Sequence, residues 1–200
     1  MNISLIKPNG AAVDVAHGML IFGSMLSAKP NNILEIGIGT GFITNLLLDG
    51  VAHNQSGHLT SVDNFYDLGG NLPNQVLDKL KQRNSLSIIA PIEEKDFVLS
   101  CKDNQYDFLV SDGDHVHAGE WVDEIFRIMK PNSFMFFHDI NNTGFPGLYN
   151  YKTLSDKYNK PNYLFTKSSR DDEECHRGLL MVINKKWNLF LNDTKMVIGH

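Results

Sequence analysis

The chain has 200 residues, of which 42% are hydrophobic and 20% charged, and its formal net charge is -5. This composition is ordinary for a soluble globular protein, and the length suits one domain with a substantial core. The acidic balance argues against a nucleic-acid partner, which usually meets a basic face, and two cysteines are too few for a disulfide framework.

The first predicted element is the apolar run "AHGMLIFGSMLSA" over residues 16–28. It is shorter than the ~20 residues that a membrane-spanning helix needs. Lys7, the apolar run and its small residues resemble a signal peptide. A strand follows at once, however, so we interpret the run as a helix packed on the domain, with His17 in a packing or surface role. We expect a cytoplasmic protein with no membrane partner.

Strands and helices then alternate along the chain. Apolar runs predict five strands and a later antiparallel pair, and helical spacing predicts three intervening helices. The strands are "NILEIGI" (32–38), "HLTSVD" (58–63), "SLSIIA" (85–90), "YDFLVSDG" (106–113), "FMFFHD" (134–139), "NYLFTK" (162–167) and "GLLMVIN" (178–184); the helices begin at Phe42, at "NQVLDKLKQRN" (74–84) and at "GEWVDEIFRIMK" (119–130). This rhythm predicts an α/β fold with a doubly wound, mostly parallel, seven-stranded sheet and an antiparallel C-terminal hairpin. Ligands of such sheets bind at the edge formed by the strand carboxyl ends.

Three glycines follow the first strand, in "NILEIGIGTGF". Gly37, Gly39 and Gly41 allow a sharp turn from strand to helix and bring bare backbone against a ligand. Their G-x-G-x-G spacing differs from the dinucleotide fingerprint, G-x-G-x-x-G. Glu35 precedes them and is a poor neighbour for phosphate, but it suits a cationic or hydroxyl-bearing ligand. Asp63, at the tip of the second strand, can accept hydrogen bonds from both hydroxyls of a ribose.

"LEIGIGTG" together with "SVD" resembles the first two motifs of the class I methyltransferases, which use S-adenosylmethionine. The resemblance covers roughly Asn31 to Asp139 and implies a Rossmann-like core (31–186) between an N-terminal helical cap segment (1–30) and a C-terminal tail (187–200), all in one domain. It also implies positions for the cofactor. Gly37, Gly39, Thr40 and Gly41 would face its methionine part, Glu35 would support that loop, Asp63 would bind the ribose, Ile92 and Glu93 would border the adenine, and Asp112 would adjoin the cofactor.

Polar residues also end the fourth and fifth strands, in "SDGDH" and "FHD". We expect Asp112, Asp114, His115, His138 and Asp139 to converge on the edge that binds the cofactor. Methyl transfer is an in-line displacement that needs an aligned, deprotonated acceptor. A divalent cation with carboxylate ligands lowers the pKa of a bound oxygen and orients it.

This second pair of motifs resembles the small metal-dependent O-methyltransferases that act on catechols and on sugar hydroxyls. The resemblance implies that Asp112, His138 and Asp139 hold the metal and that Asp114 or His115 is the general base. His138 departs from the usual carboxylate or amide. Imidazole suits transition metals better than Mg²⁺, so the metal's identity stays open, as does a metal-free enzyme with a histidine base.

The expected function is therefore methyl transfer from S-adenosylmethionine to a hydroxyl of a small molecule or sugar, assisted by a divalent cation. A metal-free N- or O-methyltransferase is the alternative within this fold. From other classes, a nucleotide-binding oxidoreductase or a non-catalytic ligand-binding relative stays open. The glycine spacing and the carboxylates count against the oxidoreductase. We expect the acceptor pocket to involve the N-terminal segment and residues 64–74 and 141–151, and a homo-oligomer is compatible with the sequence.

Overall fold

The computed structural model describes residues 13–64, 78, 80–140, 162–165 and 178–184. Within these ranges the helices are α1 (Val15–Ala28), α2 (Phe42–Asn54), α3 (Glu94–Ser100) and α4 (Val122–Ile128), with a short 3-10 helix at Ala118–Glu120. The strands are β1 (Asn32–Ile36), β2 (His58–Val62), β3 (Leu86–Ile89), β4 (Tyr106–Ser111), β5 (Met129–His138), β6 (Asn162–Phe165) and β7 (Leu179–Ile183). None of the described helices is long and apolar enough to cross a membrane.

The strands form one sheet in the order β3-β2-β1-β4-β5-β7-β6. The first five strands in this order are parallel, and β7 lies antiparallel to both β5 and β6. The predicted α/β class, with a mostly parallel sheet and an antiparallel C-terminal hairpin, is therefore confirmed. The strand order reverses between β1 and β4, which is where ligands bind in sheets of this kind.

Side chains of the central strands alternate between two apolar clusters, one on each face of the sheet. Ile33 packs into the cluster that contains the buried residues of α1 and α2. Leu34 and Ile36 pack into the cluster of α3 and α4 on the opposite face. Both faces are thus covered, which explains why β1 is almost continuously apolar.

Helix α1 confirms the interpretation of the N-terminal apolar run as a packed helix. Asp14 caps its first turn by accepting a hydrogen bond from the Ala16 amide at 2.6 Å. Gly18 lies so close to α2 that a Cβ atom there would approach the Phe42 ring to 2.8 Å. This contact fixes α1 on α2, the helix that follows the glycine turn.

Two boundaries differ from the sequence prediction. The predicted helix over 119–130 is divided, because Trp121 separates the 3-10 helix from α4, and Met129 already pairs with Tyr106 in β5. Residues 131–133, between the predicted helix and the predicted strand, lie inside β5 as an irregularity, with Asn132 at a φ of 66°. Helix α3 was not predicted at all. Residues 65–77, 141–161 and 185–200, including the expected tail and most of the expected acceptor pocket, lie outside the described residues.

Candidate active site

The glycine turn joins β1 to α2 through left-handed backbone at all three glycines. Gly37 has a φ of 88°, and a Cβ atom there would lie 2.2 Å from the Asp112 backbone oxygen. Gly39 has a φ of 51° and open space where a Cβ would stand. Gly41, at a φ of 78°, precedes the first residue of α2. The first glycine therefore lets β1 meet the end of β4, and the second leaves backbone exposed for a ligand.

The carboxylate of Asp63 holds this turn in place. Its Oδ2 atom accepts hydrogen bonds from the backbone N–H groups of Ile38, at 2.7 Å, and Gly39, at 3.2 Å. Glu35, which we expect to support the loop, makes its hydrogen bonds to α2 and β2 rather than to the turn itself. Asp63 makes the contact because it ends β2, directly beside the turn that follows β1.

Glu35 instead connects three elements beneath the turn. Its fully buried carboxyl accepts hydrogen bonds from Thr44 of α2, at 2.9 Å, and from Ser61 of β2, at 2.5 Å. Burial raises the pKa of Glu35 to about 8; the two hydroxyl hydrogen bonds oppose this rise, and the nearby charges of Asp63 and Asp112 add to it. Glu35 therefore braces the site from below.

The residues expected to border the adenine lie beside the tip of β2. The Ile92 amide donates a hydrogen bond to the Asp63 carbonyl at 3.1 Å. The exposed Glu93 accepts one from the side chain of Asn64 at 3.3 Å. Thr40, in the glycine turn, has a buried hydroxyl with no hydrogen-bond partner among the described residues. These residues extend one continuous polar edge from the turn to the end of β3.

Four of the five residues predicted to act in metal binding or catalysis meet at the ends of β4 and β5. Nδ1 of His138 lies 3.1 Å from an Asp112 oxygen and 3.3 Å from an Asp139 oxygen. Nε2 of His115 lies 3.4 Å from Asp112 and 3.2 Å from Asp139. We call Asp112, His115, His138 and Asp139 the Asp–His cluster. The predicted convergence therefore holds for these four residues.

Two members of the cluster, His115 and Asp112, have pKa values that their neighbours shift strongly. Burial acts to lower the pKa of His115, but hydrogen bonds and charges from Asp112 and Asp139 outweigh it and raise that pKa to about 10. Burial acts to raise the pKa of Asp112, but His138 and His115 hold it well below its ordinary value. At neutral pH His115 is therefore protonated and Asp112 is ionised.

Asp114 lies apart from the cluster. Its Oδ1 atom accepts hydrogen bonds from the amides of Val116 and His117, both at 2.8 Å, and its Oδ2 atom lies 3.3 Å from the His117 ring. A carboxylate that caps its own turn in this way is not aimed at the cluster. Of the two residues expected as the general base, the structure brings only His115 to the cluster.

A family model described as a methyltransferase domain matches residues 34–140, which is more than half of the chain. The chain belongs to this methyltransferase family. The matched range contains every residue that the sequence assigned to the cofactor, the metal or the base, from Glu35 to Asp139.

Solved structures share the fold of this methyltransferase at low sequence identity. An O-methyltransferase from Bacillus cereus in complex with SAH has a TM-score of 0.67 and 14% identity, over 88% of this chain and 83% of that chain. TomG, an O-methyltransferase from Streptomyces achromogenes involved in tomaymycin synthesis, in complex with SAM, has a TM-score of 0.67 and 12% identity, over 92% and 93%. A SAM-dependent O-methyltransferase from Thermotoga maritima has a TM-score of 0.66 and 12% identity, over 90% and 69%. Among curated proteins, no significant match to the sequence exists.

Sequence reasoning missed one buried acid beside the site, Glu94, and left the role of His17 open between packing and surface. Glu94 is buried at the start of α3, where it accepts hydrogen bonds from Trp121 and from the Asp114 amide. His17 of α1 is also buried, and its ring packs edge-on against the His138 ring at a centroid distance of 5.4 Å. The apolar positions Phe97 and Val98 were the one available signal for α3.

Proposed function

We propose that this methyltransferase transfers a methyl group from S-adenosylmethionine to a hydroxyl of a small molecule or sugar. One observation carries the proposal. The open glycine turn and the Asp–His cluster adjoin each other, since Gly37 of the turn lies against the backbone of Asp112. A donor held along the turn would therefore have its reactive end beside groups that bind and deprotonate a hydroxyl.

Donor binding is assigned to the polar edge around the turn. Gly39 offers open space and exposed backbone, and Asp63 stands where a ribose would follow a methionine held by the turn. Ile92 and Glu93 then lie farther along the same edge, as an adenine would require. The SAH and SAM complexes of the structurally similar O-methyltransferases support this choice of donor.

The ligand atoms that the Asp–His cluster offers fit a divalent cation. Asp112, His138 and Asp139 each offer one ligand atom, and these atoms lie within 4.8 Å of one another. A bound cation would supply Lewis acidity, lowering the pKa of the acceptor hydroxyl. Two carboxylates with imidazole favour a transition metal over Mg²⁺, which prefers oxygen ligands alone.

His115 is the proposed general base. During the reaction the S–CH₃ bond of the donor breaks, the O–CH₃ bond forms, and the hydroxyl proton passes to Nε2 of His115. The ring must be neutral to accept this proton. Asp112 and Asp139 raise the pKa of His115 less once they share their charge with a cation or with the sulfonium of the donor.

The metal-free alternative has its own supporting observation. His115 already lies 3.4 Å from Asp112 and 3.2 Å from Asp139, so its ring is positioned by protein groups alone. Activity that survives dialysis against EDTA would identify this alternative. Activity lost on dialysis and restored by Mn²⁺ or Co²⁺ more fully than by Mg²⁺ is the result we expect.

The principal test combines donor binding with turnover. Calorimetry should show binding of S-adenosylmethionine and none of NAD, and labelled donor should transfer its methyl group to a hydroxyl in a screen of acceptor classes. Asp112→Ala should lower turnover at least roughly a hundredfold while leaving donor affinity nearly intact, because Asp112 serves the acceptor side. Asp107→Asn, at the amino-terminal edge of β4, is the matched control. Loss of donor affinity in Asp112→Ala without loss of turnover would refute the role.

A further inference from the structure

Glu94 lies outside the Asp–His cluster, yet it touches the segment that carries two members of it. The residue is 7% exposed and stands in the first turn of α3. Its Oε2 atom accepts a hydrogen bond from the Asp114 amide at 2.9 Å, and its Oε1 atom accepts one from Nε1 of Trp121 at 3.0 Å. One carboxylate thus fixes the segment after β4 at two points, 114 and 121.

Gly113, the residue before Asp114, shows how closely the segment approaches Glu94. A Cβ atom at Gly113 would lie 2.7 Å from Oε2 of Glu94 and 2.8 Å from the Ile36 side chain. A Cβ atom there would have to push the side chains of Glu94 and Ile36 aside, so the segment passes closely between α3 and β1. Asp112 and His115 therefore leave the sheet along a path whose inner side is set by Glu94.

We infer that Glu94 is a positioning residue that holds the 112–121 segment so that His115 faces Asp112 and Asp139. This inference rests on the proposed function for its kinetic consequence, but its structural content concerns this chain alone. Each oxygen of Glu94 accepts one N–H group of the protein, from the Asp114 amide or from Trp121, so the carboxylate is tied to the 112–121 segment. Its effect on methyl transfer therefore passes through the placement of His115.

Glu94→Gln and Trp121→Phe separate the two contacts. A glutamine offers one acceptor oxygen and one NH₂ group, so it keeps the shape but cannot accept from both N–H donors. Phenylalanine keeps an aromatic ring but removes the indole N–H together with part of the buried ring system. Glu120→Gln, an exposed acid one residue before Trp121, is the matched control.

We expect Glu94→Gln to lower kcat roughly 10- to 100-fold with the KM for S-adenosylmethionine unchanged within about 2-fold. Trp121→Phe should lower kcat less, and the double variant should be no worse than Glu94→Gln, because both act on one contact. The ring signals of His115 in the NMR spectrum should shift in both single variants and stay unchanged in Glu120→Gln.

Three results would overturn the inference. The first is a Glu94→Gln variant with full kcat and unshifted His115 signals. The second is a loss of activity that only follows the fraction of folded protein, measured by near-ultraviolet circular dichroism. The third is weakened donor binding with unchanged kcat, which would place Glu94 in the donor pocket. If the wild-type chain transfers no methyl group to any acceptor, the proposed function fails, and the His115 signals still decide the role of Glu94.

Discussion

Asp63 uses one carboxylate oxygen to accept two backbone N–H groups of the glycine turn. The proposed function assigns the same side chain to the ribose of the donor, so it would shape the turn and contact the ligand together. An acid at the end of β2 can do both because this strand end lies between the glycine turn and the proposed cofactor site.

Asp63→Ala should therefore weaken the binding of S-adenosylmethionine by ~1–3 kcal/mol through lost hydrogen bonds, which is roughly a 5- to 150-fold rise in Kd. Isothermal titration measures this directly. Asp107→Asn changes a carboxylate that also accepts a backbone N–H, that of Asn32 at 2.9 Å, but at the opposite edge of the sheet. Equal effects of the two variants, or an unchanged Kd in Asp63→Ala, would contradict the assignment.

The residue types of the site were predictable, whereas their division of labour was not. Strand ends marked by Asp112, His138 and Asp139 converge because parallel strands end at one edge. Whether a nearby polar side chain turns toward that point or caps its own turn depends on local backbone geometry. His115 turns toward the cluster, whereas Asp114 caps its own turn. Glu94 carries no pattern of its own, since its importance comes from contacts with residues 20 and 27 positions later in the chain.

At the scale of elements, apolar runs predicted the strands and the long helix α1 well, whereas the short helices were predicted poorly or not at all. Helix α1 and the strands β1, β2 and β4 follow their apolar patterns closely. Helix α3 has seven residues and only two buried apolar side chains, Phe97 and Val98, so its pattern is too short to recognise. The end of α4 was missed because Met129 suits a helix and a strand equally, and its pairing with Tyr106 decides for the strand.

The turn between β1 and α2 allows two glycines to be compared. Gly37→Ala should lower the free energy of unfolding by more than about 2 kcal/mol, because left-handed strain adds to a collision with the Asp112 backbone. Gly39→Ala has strain without a collision and should cost about 1 kcal/mol.

Thermal or urea unfolding measures both changes, and calorimetry then measures donor binding. Gly39→Ala should lose affinity out of proportion to its small loss of stability, since its new methyl group would enter the space proposed for the donor. Equal stability losses at positions 37 and 39 would contradict the close approach of β1 and β4.

At the scale of the whole molecule, the fold buries several acidic side chains, and burial disfavours their charged forms. Glu35 is the most deeply placed of these, and its pKa is raised from 4.5 to about 8 chiefly by burial. Between those two pH values the native state keeps a proton that the unfolded state has lost. The free energy of unfolding therefore falls as pH rises through this window.

Glu35→Gln should remove this fall, because its neutral amide imitates the protonated acid. Between pH 5 and pH 8 the wild-type protein should lose roughly 2–4 kcal/mol more stability than the variant. Urea unfolding at several pH values provides the comparison. Parallel pH profiles for the two proteins would show that Glu35 is not protonated in the native state.

No side chain separates Gly37 of the donor turn from the end of β4, where Asp112 begins the Asp–His cluster. A shift of the backbone at Gly37 would therefore displace the backbone at Asp112 directly, because the two are in contact. Under the proposed function, occupancy by the donor and affinity for the acceptor would be linked, and thermodynamic reciprocity would then require each substrate to change the other's affinity by the same factor.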